Sequence, residues 1–162
     1  MTNLQDLDWD YPEPFFIERT VGPGDIDGFD HTNNTVYLQW LDQCTWAHTE
    51  AAGLSAENCV DLNRGMAVIR HEIDYLISAK LDDHLVIGDW VTVNDGRLRA
   101  QRQYQIIRVN DGRTLLRAKT DYVCTDLKRG RPARMPEQFV SNYPVLPGVA
   151  AKLASAPSSA EG

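Results

Sequence analysis

The sequence predicts an α+β domain in which one long helix packs on one face of an antiparallel sheet. Three observations carry that prediction. Apolar residues from Val36 to Ala51 recur at helical spacing, and from Met66 onward the period drops to two. The strand-like runs of the second half are joined by short Asn-Asp-Gly turns, which favour a meander over alternating strands and helices.

The elements follow in order. FFIERTV (15–21) reads as a short strand, stopped by Gly22-Pro23-Gly24. The helix then places Val36, Tyr37, Trp40, Leu41, Cys44, Ala47, His48 and Ala51 on one stripe, with Gln39, Asp42, Gln43, Thr45 and Glu50 opposite. Asn33, Asn34 or Thr35 can cap its start, and Gly53 suits the left-handed position after its end. Such a helix has about five turns. In MAVIRHEIDYLI (66–77), strict alternation puts Ala67, Ile69, His71, Ile73, Tyr75 and Ile77 on one face. LVIGDWVTV (85–93), LRAQRQYQIIRV (98–109) and TLLRAKTDYVCT (114–125) complete the meander. One domain over residues 1–140 is expected, followed by an Ala/Pro/Ser-rich, loosely attached tail over 141–162.

Composition narrows the function classes. The 162 residues are 43% hydrophobic and 24% charged, as in a globular domain, with net charge −7. Residues 1–96 hold 4 Lys/Arg against 18 Asp/Glu, and residues 97–162 hold 12 against 5. Overall acidity argues against nucleic-acid binding, while the basic second half can meet a smaller anion such as a nucleotide-bearing group. No apolar run is long enough to span a bilayer. The acidic N-terminus lacks the pattern of a signal peptide, and three unpaired cysteines suggest no disulfide framework. A cytoplasmic location is expected.

The chemistry concentrates in DIDGFDHTNNTVY (25–37). Asp25-x-Asp27 opens like a calcium loop, but Phe29 and Val36 stand where the third and last ligands belong. His31, His48, His71 and His84 lack ligand spacing, so no metal is expected. A phosphatase motif needs a buried apolar strand before its Asp-x-Asp, and Val-Gly-Pro-Gly precedes this one. No nucleophile elbow or phosphate loop occurs. A carboxylate-rich turn feeding a helix N-terminus remains. It either caps the helix or combines free N–H groups with a carboxylate that acts as base or nucleophile at a carbonyl.

Residues 25–41, DIDGFDHTNNTVYLQWL, resemble the signature of hot-dog-fold acyl-CoA thioesterases of the 4-hydroxybenzoyl-CoA thioesterase-like family. The likeness continues through Arg70-His-Glu-Ile-Asp-Tyr75-Leu-Ile-Ser-Ala79-Lys-Leu-Asp-Asp83 and closes at Arg131-Pro-Ala-Arg-Met-Pro136, covering roughly residues 14–139. The resemblance implies a hot-dog fold, a long central helix wrapped by a five- to six-stranded antiparallel sheet. It implies hydrolysis of an acyl-CoA thioester to free acid and CoA, without a cofactor. It also implies a homodimer or dimer-of-dimers tetramer, with sites at the subunit interface.

By the same resemblance Asp27 is general base or nucleophile, and His31, Asn33 and Asn34 complete the catalytic set. Backbone N–H groups around Asn34–Val36, those of Thr35 and Val36 among them, are the expected oxyanion donors. Lys128, Arg129, Arg131 and Arg134 are the expected contacts of the CoA phosphates. His71, on an apolar strand face, suits a core or interface position, and Trp40 and Trp46 suit packing. Two positions depart from the family pattern: Phe29, where related enzymes carry Asn, and Asp30, where Gly is usual. A hot-dog enoyl-CoA hydratase fits less well, since Asp27-Gly28 replaces its Asn-Pro. A non-catalytic acyl-CoA-binding protein on the same scaffold is the other alternative.

Overall fold

The computed structural model describes residues 2–156. The chain forms strand β1 (Phe15–Thr20), helix α1 (Asn34–Ala51) and the short helix α2 (Ala56–Leu62). Strands β2 (Arg64–Tyr75), β3 (His84–Asn94), β4 (Arg99–Arg108) and β5 (Thr114–Asp126) follow. The two-residue strand β6 (Arg131–Pro132) and helices α3 (Glu137–Asn142) and α4 (Pro147–Ser155) complete it. All strands pair antiparallel in one sheet ordered β1-β3-β4-β5-β2, with β6 added to β5. The sheet curls around α1, which is the hot-dog arrangement.

Helix α1 starts where its sequence provides a cap. Asn33 is extended, and its Oδ1 accepts from the Thr35 N–H. The first part of the expected stripe is buried: Val36, Tyr37, Trp40, Leu41 and Cys44 pack on Leu85, Ile87, Tyr104, Ile106 and Leu116 of the sheet, while Ala47 and His48 are half-buried and Ala51 is exposed. Each such side chain taken fully out of water contributes about 1.5–3 kcal/mol. The β3–β4 and β4–β5 turns need Gly96 and Gly112, both at φ 70°. Asp95 secures the first turn by accepting from the N–H groups of Arg97, Leu98 and Arg99.

Three expectations are corrected. A bulge between Val68 and Arg70 breaks the alternation of β2, so Met66, Val68, His71, Ile73 and Tyr75 pair with the buried side of β5. Ile69 is the inserted residue and is half exposed. A bulge adds one residue on one strand, and strict period-two reading cannot anticipate it.

The sheet is also covered on its second face, by the N-terminal segment and α4. Trp9 lies flat on Gly88, where a Cβ would come within 2.6 Å of the indole. Trp9, Trp90, Val86, Ile107 and Val149 form that second core. Gln105, fully buried, ties the segment down by accepting from the Asp10 N–H and donating to the Asp8 carbonyl. The segment expected as a loose tail from residue 141 carries packed residues as far as Leu153, which is partly buried. Tyr143 and Val149 are buried there, their apolar area outweighing the polar composition of the segment. Residues 157–162 lie outside the described residues.

Candidate active site

The carboxylate-rich segment folds back on itself before entering α1. The Asn33 N–H donates to the Asp25 carbonyl and the Asp27 N–H to the His31 carbonyl, each at 2.8 Å, and Ile26 bridges Thr32. Asp27 closes this turn with its side chain. Its Oδ1 accepts from the N–H groups of Phe29 (2.8 Å) and His31 (3.3 Å). Asp30 stands at φ 58°, the left-handed conformation that Gly adopts without strain and Asp tolerates. The usual family Gly therefore answers a backbone need, and Asp meets it at modest cost. Phe29, at the tip, is 83% exposed.

The second conserved-looking segment of the resemblance supports this turn from beneath. The Thr32 N–H and Oγ1 both donate to the Ala79 carbonyl at 3.0 Å, and the Ala79 N–H donates to Tyr37 Oη at 2.9 Å. Ala79 is completely buried.

Two of the expected oxyanion donors, Thr35 and Val36, are not open. The Thr35 N–H donates to Asn33 Oδ1 (3.1 Å), and the Val36 N–H donates to the Asn33 carbonyl (2.9 Å). The cap that starts the helix has taken both, as caps do. Among the described residues the Asn34 N–H at the helix start has no acceptor, and neither has the Gly28 N–H at the tip of the turn. Its carbonyl receives the Tyr75 hydroxyl at 3.2 Å, which joins β2 to the helix entrance.

A groove of about 410 Å³ runs from Thr35 along α1, between the helix and strands β2, β4 and β5. Of the expected site residues only Thr35 lines it. Leu38, Gln39 and Asp42 form the helix side, and Val68 and His71 the β2 side. His71 Nδ1 lies 2.8 Å from Thr120 Oγ1. The groove floor carries a hydroxyl chain, Thr45 Oγ1 to Tyr104 Oη at 2.6 Å and Tyr104 Oη to Tyr122 Oη at 2.9 Å. Burial pushes both tyrosine hydroxyls up, so they remain protonated hydrogen-bond partners.

The basic residues Lys128, Arg129, Arg131 and Arg134 are exposed on and beside the β5–β6 hairpin. That hairpin pairs with the Arg64 end of β2, whereas Tyr75 at the other end reaches Asn34. A strand of this length spans about 35 Å, so one chain does not bring the basic cluster to Asp27.

One polar cluster was invisible to the sequence reading. His48 of α1, Asp89 of β3 and Arg102 of β4 meet beneath the helix. Asp89 Oδ1 lies 2.5 Å from His48 Nδ1 and 3.0 Å from Arg102 Nη1, and Asp89 is fully buried. Arg102 Nη1 is also 2.8 Å from His48 Nδ1. One ring nitrogen cannot both donate to Asp89 and accept from Arg102, so we assign its proton to the shorter Asp89 bond, with both donors sharing Oδ1. Burial opposes the Arg102 charge, but Asp89 and nearby tyrosines outweigh it and hold the guanidinium protonated. Phe15 stacks on the His48 ring at 4.6 Å between centroids. The sequence signal was the carboxylate in the middle of the apolar run LVIGDWVTV, since an Asp so placed requires a partner.

Among the described residues no group of three or more His, Cys, Asp or Glu is gathered to hold a metal. None of the described helices is long and apolar enough to cross a membrane.

A helix wrapped by a curled antiparallel sheet, with a polar turn at the helix entrance, defines a hot-dog-fold protein. The sequence profile of the Thioesterase-like superfamily matches residues 21–143, and the chain belongs to that family. Solved structures agree on the fold. A 1,4-dihydroxy-2-naphthoyl-CoA thioesterase from Synechocystis superposes with a TM-score of 0.73 at 23% identity, over 81% of this chain and 96% of that one. YbaW, a probable thioesterase from Escherichia coli, gives 0.71 at 21% identity, over 80% and 99%. The Staphylococcus aureus protein SAV2348, solved in complex with CoA, gives 0.75 at 17% identity, over 90% and 87%. No curated protein matches the sequence.

Proposed function

We propose that this protein is a cytoplasmic acyl-CoA thioesterase that hydrolyses a thioester to a free carboxylic acid and CoA. One observation carries the reading: in a chain of the Thioesterase-like superfamily, a turn-held carboxylate sits at the entrance of a helix whose first amide is unpaired. Asp27 then takes a proton from water, or attacks the carbonyl carbon directly. Of the expected donors around Asn34–Val36, the Asn34 N–H is left for the developing oxyanion, where the helix dipole favours negative charge. His31 and Asn33 position water or substrate. In the general-base route the C–O bond forms, the C–S bond breaks, and the proton held by Asp27 passes to the departing CoA thiolate. No cofactor is needed for these steps.

The site is completed by a second copy of the chain. Strand β2 is the outer strand next to β5, with Val68, Ile69 and Tyr75 about half exposed. Antiparallel pairing of two β2 edges sets the Arg64 end of one copy beside the Tyr75 end of the other. The partner's basic hairpin then approaches this chain's Asp27 turn, where Lys128, Arg129, Arg131 and Arg134 can meet CoA phosphates.

Thiol release from a panel of acyl-CoAs tests the reading. Asp27→Asn is expected to lower kcat by about 10²–10⁴-fold. Full activity in that variant moves the base to His71 or Asp42, which line the groove. No turnover on any acyl-CoA overturns the hydrolase. Size-exclusion chromatography is expected to give a dimer or tetramer, and a monomer contradicts the shared site.

A further inference from the structure

A second, more apolar cavity of about 330 Å³ opens near the C-terminal end of α1, within the usual size range of small-molecule sites. Val60, Met66, Ala67, Val91 and Ala100 form its walls. Half-exposed Trp46 and Leu127 stand among its lining residues. Arg102, 95% buried, is its only charged lining residue.

The orientation of that guanidinium is informative. Its carbon lies 5.6 Å from the centroid of the Tyr143 ring, which covers one face. Nη1 is committed to Asp89 and His48. Nε and Nη2 have no partner among the described residues, and neither is sealed from solvent. Arg102 lines this cavity and neither of the other two described, which assigns its free Nε–Nη2 edge to this side.

Asp89 leaves that edge free. Its Oδ2 is buried without any partner, although a bidentate contact with Arg102 would have satisfied it. An orphaned buried oxygen is costly and calls for an explanation. The pair stays monodentate while two parallel N–H donors point into an apolar chamber. Such a fork matches the two oxygens of a carboxylate, and the walls match a hydrocarbon body.

We propose that this cavity binds an apolar monocarboxylate, its carboxylate held bidentately by Arg102 Nε and Nη2 and its hydrocarbon part against Val60, Met66 and Val91. The site does not depend on the hydrolase reading, because occupancy is measured without turnover.

Calorimetric titration of the wild-type protein with decanoate and with 1-decanol is the test. Decanoate is expected to bind about tenfold more tightly or better, the effect of two charge-assisted hydrogen bonds. Arg102→Lys keeps the charge and loses the fork, and is expected to bring the two affinities within about threefold. Val60→Glu, at an exposed position of the wall, is expected to weaken decanoate severalfold and leave decanol nearly unchanged. Equal binding of acid and alcohol by the wild type overturns the proposal, whatever the variants do. A parallel titration with a dicarboxylic half-thioester of CoA identifies the source of the carboxylate. Tighter binding than decanoate, lost in Arg102→Lys, makes it the far end of a thioester's acyl group, and weaker binding makes it a free acid; both support the fork.

Discussion

The two ends of helix α1 hold the two polar clusters of this protein, built in opposite ways. At the N-terminal entrance, Asp27, His31 and Asn33 bond to groups two to four residues away and stay in reach of water. Near the C-terminal end, His48, Asp89 and Arg102 come from three separate elements, Asp89 being sealed from solvent and Arg102 open only along one edge. Exposed local bonds are individually weak, so the entrance can change its charge without threatening the fold. A buried ion pair that loses one partner strands a charge where nothing replaces water. Reaction chemistry suits the first environment. The second suits fixed positioning, and its free guanidinium edge is the part turned to use.

The contrast can be broken experimentally. Asp89→Ala is expected to cost about 3–5 kcal/mol in urea unfolding, because Arg102 is left buried and unpaired. Asp27→Asn, which keeps the accepting oxygen of the turn, is expected within about 0.5 kcal/mol of wild type in the same measurement despite its loss of turnover. Equal destabilisation by both would erase the distinction. Ala79→Leu sharpens it. Overpacking beneath Thr32 is expected to cost about 1–3 kcal/mol and to reduce thiol release, since the entrance rests on the Ala79 carbonyl. Asn33→Ala removes the helix cap and is expected to cost about 1 kcal/mol by thermal melting.

The smallest effect belongs to an exposed carboxylate outside both clusters. The Arg108 guanidinium beside Asp111 holds its carboxyl below the usual range. The native state therefore binds fewer protons there than the unfolded chain. Its contribution is present above about pH 4 and fades as the pH falls through the lowered value. Asp111→Asn is expected to flatten slightly the acid limb of stability against pH, with no change at neutral turnover.

Much of the fold was legible because its determinants repeat at short range. The α1 stripe, the Asn33 cap, Gly53 and the Asn-Asp-Gly turns stand where local spacing placed them. The bulge at Ile69 was not legible, since one extra residue leaves no mark on composition. Nor were α2 and α4, or the docking of Trp9 on Gly88. Those depend on apolar area supplied by distant strands. At the candidate site, the turn and its capping were written in thirteen residues, but the competition of Asn33 for the Thr35 and Val36 amides was not. The cap and the oxyanion donors draw on the same N–H groups, and geometry alone decides which claim prevails.

By itself, then, the sequence determined the helix, the strands, the family and the polar turn, because periodicity and capping act between neighbours along the chain. The tertiary structure decided which amide stays free, at Asn34. It also set the basic hairpin at the far end of β2 and brought His48, Asp89 and Arg102 together from positions 41 and 13 residues apart. Burial makes such distant meetings decisive: once water is excluded, each charge must find its partner in the protein, and only the fold chooses which residue that is.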